Sequence, residues 1–182
     1  TYIDYFVGVG TLEAEQIDST YDGTPAVFVS EGGKVAQQGF ASAEPYIYEF
    51  EVEAWGKPVD YQLINDAGYP TYAAVVSVKP ETITEYADCL PALVPVLQQA
   101  TVDYDADPAM ANELSLTLGE EYDTGWVYSQ CVADFSVETQ LNDGIASNGP
   151  DDTVGNFDSD RVQALFDIVH PIYTAAERPV AE

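Results

Sequence analysis

Basic residues are nearly missing from this chain. Five Lys and Arg stand against 32 Asp and Glu in 182 residues, a formal net charge of −27. Nucleic acids and anionic membrane surfaces are bound through Lys and Arg, so the balance argues against both partner classes. Histidine occurs once, at His170. A Ser, His and Asp catalytic set would have to use it, and no GxSxG segment presents a serine. Standing just before Pro171 near a helix end, His170 reads as structural. Cysteine occurs twice, at Cys89 and Cys131, too few for a disulfide framework. Both fall in apolar helical segments and read as buried free thiols, with one bridge left open for an oxidising compartment. There is no CxxC, no Cys/His cluster, no glycine-rich phosphate loop and no EF-hand pattern around Asp151-Asp152 or Asp158-Ser159-Asp160. No metal and no cofactor is therefore expected. No apolar run approaches the length of a membrane span, and no signal peptide is visible.

What is present can build a core: 46% of the residues are hydrophobic, which argues against wholesale disorder. The acidic, lysine-poor composition suits a strongly hydrated surface of the halophilic kind. Thr1 to Phe6 reads as the middle of a helix, from which a missing N-terminal part is expected. Apolar positions Tyr2, Tyr5, Phe6 and Val9 have helical spacing. Asp18 to Gly23 is turn chemistry. Pro25 to Ser30 predicts one or two helical turns, broken by Glu31-Gly32-Gly33. Val35 to Ser42 predicts a strand that stops at Glu44, and Pro45 to Trp55 a helix with Glu44 as N-cap and Gly56 as C-cap. Val59 to Ile64 predicts a second strand, hence a parallel crossover, and Tyr72 to Val78 a third, buried on both faces. After Lys79-Pro80 the pattern predicts helices over Cys89 to Tyr104, Pro108 to Leu118, Trp126 to Leu141 and Asp158 to Ala176. Asp107 and Asp158 are the expected N-caps, and Asn142 to Phe157 the most mobile loop. The acidic runs Asp103 to Asp107 and Glu120 to Asp123 read as solvated helix ends.

In open α/β sheets, ligands bind beyond the carboxyl ends of strands, beside helix N-termini. On that rule Ser42, Glu44 and Tyr46 form one ligand-facing corner, and Asn65, Asp66 and Tyr69 lie in a loop on the same edge. For Glu44 two roles stand open: hydrogen-bond acceptor for an amine or amidine, or a cap for backbone N–H groups. Tyr46 and Tyr72 could stack on a flat ring or serve only as packing.

The order of these segments resembles the type II substrate-binding proteins of ABC transporters. It is most similar to the branch with sulfonate-, nitrate- and thiamine-pyrimidine-precursor-binding members. Val27-Phe28, Gly33-Lys34-Val35 and Ala41-Ser42-Ala43-Glu44-Pro45 correspond to its helix, glycine and strand–Glu-Pro elements. The similarity continues through Val59 to Tyr72, Cys89 to Tyr104, Trp126 to Phe135 and Asp158 to Ile172. It implies a partial periplasmic-binding-protein-like α/β fold: a small parallel lobe plus helices of the other lobe. Residues 1–70 would be most of the second lobe, 71–79 the crossover strand and hinge, and 80–182 the helical C-terminal part of the first lobe. The implied function is an extracytoplasmic solute-binding component of an importer. It would be a monomer, lipid-anchored if at all through the missing N-terminus, meeting membrane permease subunits and closing on a small-molecule ligand between its lobes. A branch of pyrimidine synthases consumes its own histidine, but that chemistry needs His and Cys residues that this chain does not show. Two alternatives remain: a biosynthetic enzyme on the same fold, and a non-catalytic acidic interaction module.

A charge of −27 destabilises the folded state by self-repulsion, and salt screens it. The melting temperature is expected to rise with added NaCl. A flat or falling response contradicts the halophile-like reading of the surface.

Overall fold

Proline or a side-chain oxygen stands at the start of most helices in this chain, for the physical reason that the first helical N–H groups lack intrahelical partners. The computed structural model describes residues 1–122, 128–149 and 151–176. Its α-helices are α1 (Tyr2–Gly8), α2 (Ala26–Ser30), α3 (Glu44–Tyr46), α4 (Pro80–Glu85), α5 (Leu90–Ala106), α6 (Ala109–Glu121), α7 (Gln130–Asn142) and α8 (Ser159–Ala175). Pro25 and Pro108 occupy the N-cap positions of α2 and α6, and α3, α4 and α5 carry proline in their first turn. Ser129 caps α7 by accepting the Val132 N–H, and Asp158 caps α8 by accepting the Arg161 N–H at 2.7 Å. Helix α7 stops where Gly144 takes φ +65° and the Ile145 N–H reaches back to the Gln140 carbonyl.

The expected α/β class is not what forms. Among the described residues 52% are helical, and no strand or sheet occurs. The sole ladder contact there is an isolated antiparallel bridge between Asn148 and Val154. Val35 to Ser42, Val59 to Ile64 and Tyr72 to Val78, expected as parallel strands, contain no strand. The third of these was expected to be buried on both faces, yet Val76 is 76% exposed. The physical reason is that β-propensity expresses fit to a neighbouring strand, and an apolar run without one gains nothing from extension. The small parallel lobe is thereby withdrawn, and with it the sheet-edge rule used to nominate ligand residues.

The helical expectations fare differently. Helices form at Leu90–Ala106, Ala109–Glu121, Gln130–Asn142 and Ser159–Ala175, close to the four anticipated after Pro80. Helix α4 adds a segment the periodicity did not mark. Asp107 does not cap α6 in the expected way, since Pro108 holds the N-cap position and the Asp107 carboxylate accepts the Ala109 N–H at 3.4 Å. The helix expected over Pro45 to Trp55 is shorter: α3 continues as a π-helical turn over Ile47–Glu51. Trp126 and Asp123, named in two expectations, lie outside the described residues. The loop before α8 is braced, because the Gln98 amide donates to the Val154 carbonyl at 2.9 Å. Both thiols are exposed rather than buried.

The chain divides into two units, Thr1–Gln38 with Asp60–Ala73 and Phe157–Glu182, and Gly39–Val59 with Ala74–Asn156. In the first, α1 packs on α8, and Tyr2, Tyr5, Phe6 and Tyr69 form a ring cluster with centroids 5.5–6.5 Å apart. In the second, α6 meets α7. Val132, Ala133, Val137 and Thr139 of α7 are buried, and Asn112 of α6 is 2% exposed, accepting the Tyr104 hydroxyl at 3.0 Å. Burial also raises the Tyr104 pKa. Many large apolar side chains stay exposed, most continuously along α5.

Candidate functional site

Five basic residues serve the whole chain, and one of them, Arg161, organises the loop that carries three nominated residues. Asp158 fixes the start of α8, so Arg161 three residues on lies one turn into the helix, beside the chain between Asn65 and Tyr72. Its Nε donates to the Pro70 carbonyl at 3.2 Å. One terminal nitrogen donates to the Thr71 carbonyl at 2.6 Å and to the Asn65 side-chain oxygen at 3.1 Å. The guanidinium lies over the Tyr72 ring, 4.0 Å from its centroid. Only a planar fork of fixed donors can make these contacts together while stacking on a ring. Tyr72 is locked in turn: its hydroxyl accepts the Asp158 N–H at 2.9 Å, and its ring meets Phe157 edge-on at 5.0 Å.

The loop also closes on itself. The Ala67 N–H reaches the Leu63 carbonyl, the Gly68 N–H the Asn65 carbonyl and the Tyr69 N–H the Ile64 carbonyl, at 3.1, 3.0 and 3.2 Å. Gly68 has φ +96°, and a Cβ there would stand 2.8 Å from the Tyr5 hydroxyl. Tyr69 is buried in the ring cluster, which makes it a packing residue. Asn65 and Asp66 are exposed and joined by a 3.3 Å hydrogen bond. The loop therefore presents an amide and a carboxylate at a fixed place.

Ser42, Glu44 and Tyr46 belong to the other unit. Glu44 is not an N-cap. It is the first residue of α3, behind Ala43, and its carboxylate folds back to accept the Phe40 N–H at 2.6 Å. Gly39 accommodates this, since a Cβ there would lie 3.1 Å from the Glu44 side chain. The bond uses one of about four acceptor sites on a carboxylate, so a local backbone role and a ligand role are compatible. Ser42 is half-buried in the preceding turn. Tyr46 packs against Phe50 and Phe135 with centroids 4.7 and 5.5 Å away. Its pKa is raised, first by a hydrogen bond with the Cys131 thiol, then by desolvation and by the charge of Cys131 and Glu51.

Two participants near Tyr46 were not nominated from the sequence. Ser129 donates to one Glu51 carboxylate oxygen while capping α7. The other Glu51 oxygen is buried without a partner. Nothing local in the sequence marks this pairing, because 78 positions separate the two residues. Arg161 carried a signal in its rarity. Among the described residues no group of three or more His, Cys, Asp or Glu is arranged to hold a metal, and His170 lies against Phe166 at 5.0 Å.

Gly68→Ala is expected to cost about 1–3 kcal/mol, because alanine resists the left-handed region and its Cβ displaces Tyr5. Gly8→Ala, at a helical position with open space around it, should be neutral or stabilising by about 0.5–1 kcal/mol. Urea unfolding of the two variants checks both signs.

Comparison with known proteins gives no match: no family model, no curated protein and no solved structure aligns with this chain.

Proposed function

We propose that the chain is a solute-binding component of an ABC importer, working outside the cytoplasmic membrane as a monomer alongside permease subunits. The order of its segments, from Val27-Phe28 through the Glu44-Pro45 element to the Asp66-Ala67-Gly68-Tyr69-Pro70 loop, motivates the reading. The parallel lobe that first accompanied it is not part of it. The observation that carries it is the Arg161-held loop. Binding sites favour groups fixed before the ligand arrives, because ordering them on binding subtracts from affinity. An exposed Asn65–Asp66 pair on a loop tied down by a guanidinium meets that requirement.

The same chemistry narrows the ligand class. Sulfonates and nitrate need donors or positive charge, and Arg161 is already engaged with Asn65, Pro70 and Thr71. Asp66 and Glu44, each in its own unit, offer an acceptor. A ring with an exocyclic amine, such as an aminopyrimidine, suits either one, since hydrogen bonds to a charged carboxylate are the stronger kind.

A thermal-shift panel tests this. At a ligand concentration of 100 times Kd an aminopyrimidine that binds should raise Tm by about 5–10 °C, while sulfonates and nitrate leave it unchanged. Glu44→Gln and Asp66→Asn, compared separately, identify the carboxylate whose loss removes the shift. No shift with any aminopyrimidine overturns the assignment, and a shift with sulfonate or nitrate overturns the ligand class.

A further inference from the structure

From Leu90 to Val102, thirteen consecutive residues carry no charge, in a chain where 20% of residues are charged. All of them lie in α5, and the stretch is about 18 Å long. Apart from Gln98, Gln99 and Thr101 the stretch is apolar, and apolar helix surface belongs in an interior, yet here Leu93, Val94, Val96, Leu97 and Val102 are all exposed, Val96 by 61%. A shallow groove of about 360 Å³ beside its first turns is lined by Ile83, Ala87, Leu90, Pro91 and Val94. The charges lie at the two ends and have one sign. Glu81, Glu85 and Asp88 precede the stretch and Asp103, Asp105 and Asp107 follow it, all but the half-buried Asp105 being exposed.

That distribution selects the occupant. A second copy of this chain would bring acids against acids in either a parallel or an antiparallel pairing of α5, on top of a net charge of −27 per chain. Anionic lipid is repelled at both ends for the same reason. No described helix is long and apolar enough to cross a membrane. We infer that α5 is a docking surface for a protein segment that presents an apolar stripe about 18 Å long with Lys or Arg at both ends, laid along the helix as in helix-and-groove recognition. The basic ends of the partner meet the acidic ends of the surface, and the apolar stripe covers Val96 and its neighbours. This inference is independent of the solute-binding reading.

Three synthetic peptides of about 16 residues test it by fluorescence anisotropy. The first has a Leu stripe with Lys at both ends. The second has the same stripe with Glu at both ends. The third has the same Lys content and no stripe. The first should bind the whole chain at least about tenfold more tightly than either of the others, and Val96→Asp should weaken that binding at least about tenfold while the far-ultraviolet circular dichroism stays unchanged. Asp88→Asn with Asp103→Asn should weaken the first peptide and leave the second no weaker than before. Equal binding of the first and second peptides removes the charge argument. Equal binding of the first and third shows only attraction to an acidic protein and overturns the docking site. Sedimentation showing a dimer that Val96→Asp dissociates assigns the surface to a second copy and also overturns the inference.

Discussion

A chain with five basic residues cannot hold itself together with ion pairs, and the guanidinium of Arg161 shows the alternative. Arg161 makes no carboxylate partner. It donates to two backbone carbonyls and a side-chain amide, and stacks on Tyr72. Backbone carbonyls of a loop otherwise satisfied by water are brought under a fixed donor set, and hydrogen bonds from a charged donor contribute about 1.5–3 kcal/mol each. The position of Asn65, Asp66 and Tyr69 follows from that arrangement, and so does the anchoring of α8 through Asp158 and Tyr72.

The same scarcity of cations shapes the rest. Lys57 spends its charge on the Trp55 ring, 4.0 Å from the centroid. Carboxylates without cationic partners are absorbed by neutral donors. Asp18 and Asp22 accept from the backbone and hydroxyls of Thr20 and Thr24, which lowers both pKa values. Glu44 takes the Phe40 N–H, and Glu51 takes the Ser129 hydroxyl. Local turns and caps thus do what salt bridges do in a less acidic chain, while the unpartnered acids keep the surface hydrated.

The helices were legible because their signals are local. Asp158 before the apolar stripe of α8 and the prolines at the helix starts act within one turn, and the structure uses them there. The strands were misread because the information that decides them is not local. Val35 to Ser42 and Tyr72 to Val78 have strand composition, but a strand needs a neighbour, and an apolar run reads the same with or without one. The candidate site was half legible for a related reason. Asn65, Asp66 and Glu44 were nominated by a sheet-edge rule that has no sheet to act on among the described residues, whereas the contact that fixes the loop comes from Arg161, 96 positions beyond Asn65. Tyr69 was nominated by position and proves to be packing, because its ring is claimed by Tyr2 and Tyr5.

The solute-binding proposal depends most directly on whether one guanidinium holds this loop. Hydrogen exchange at the Ala67, Gly68, Tyr69 and Thr71 amides, each hydrogen-bonded within the loop, measures it in the full chain with Arg161→Lys. Lysine keeps the charge and loses the planar fork. Protection of those four amides should fall about tenfold or more, the equivalent of losing roughly 1.4 kcal/mol or more of hydrogen bonding, while the α7 amides keep theirs. Unchanged protection across the loop would contradict the account.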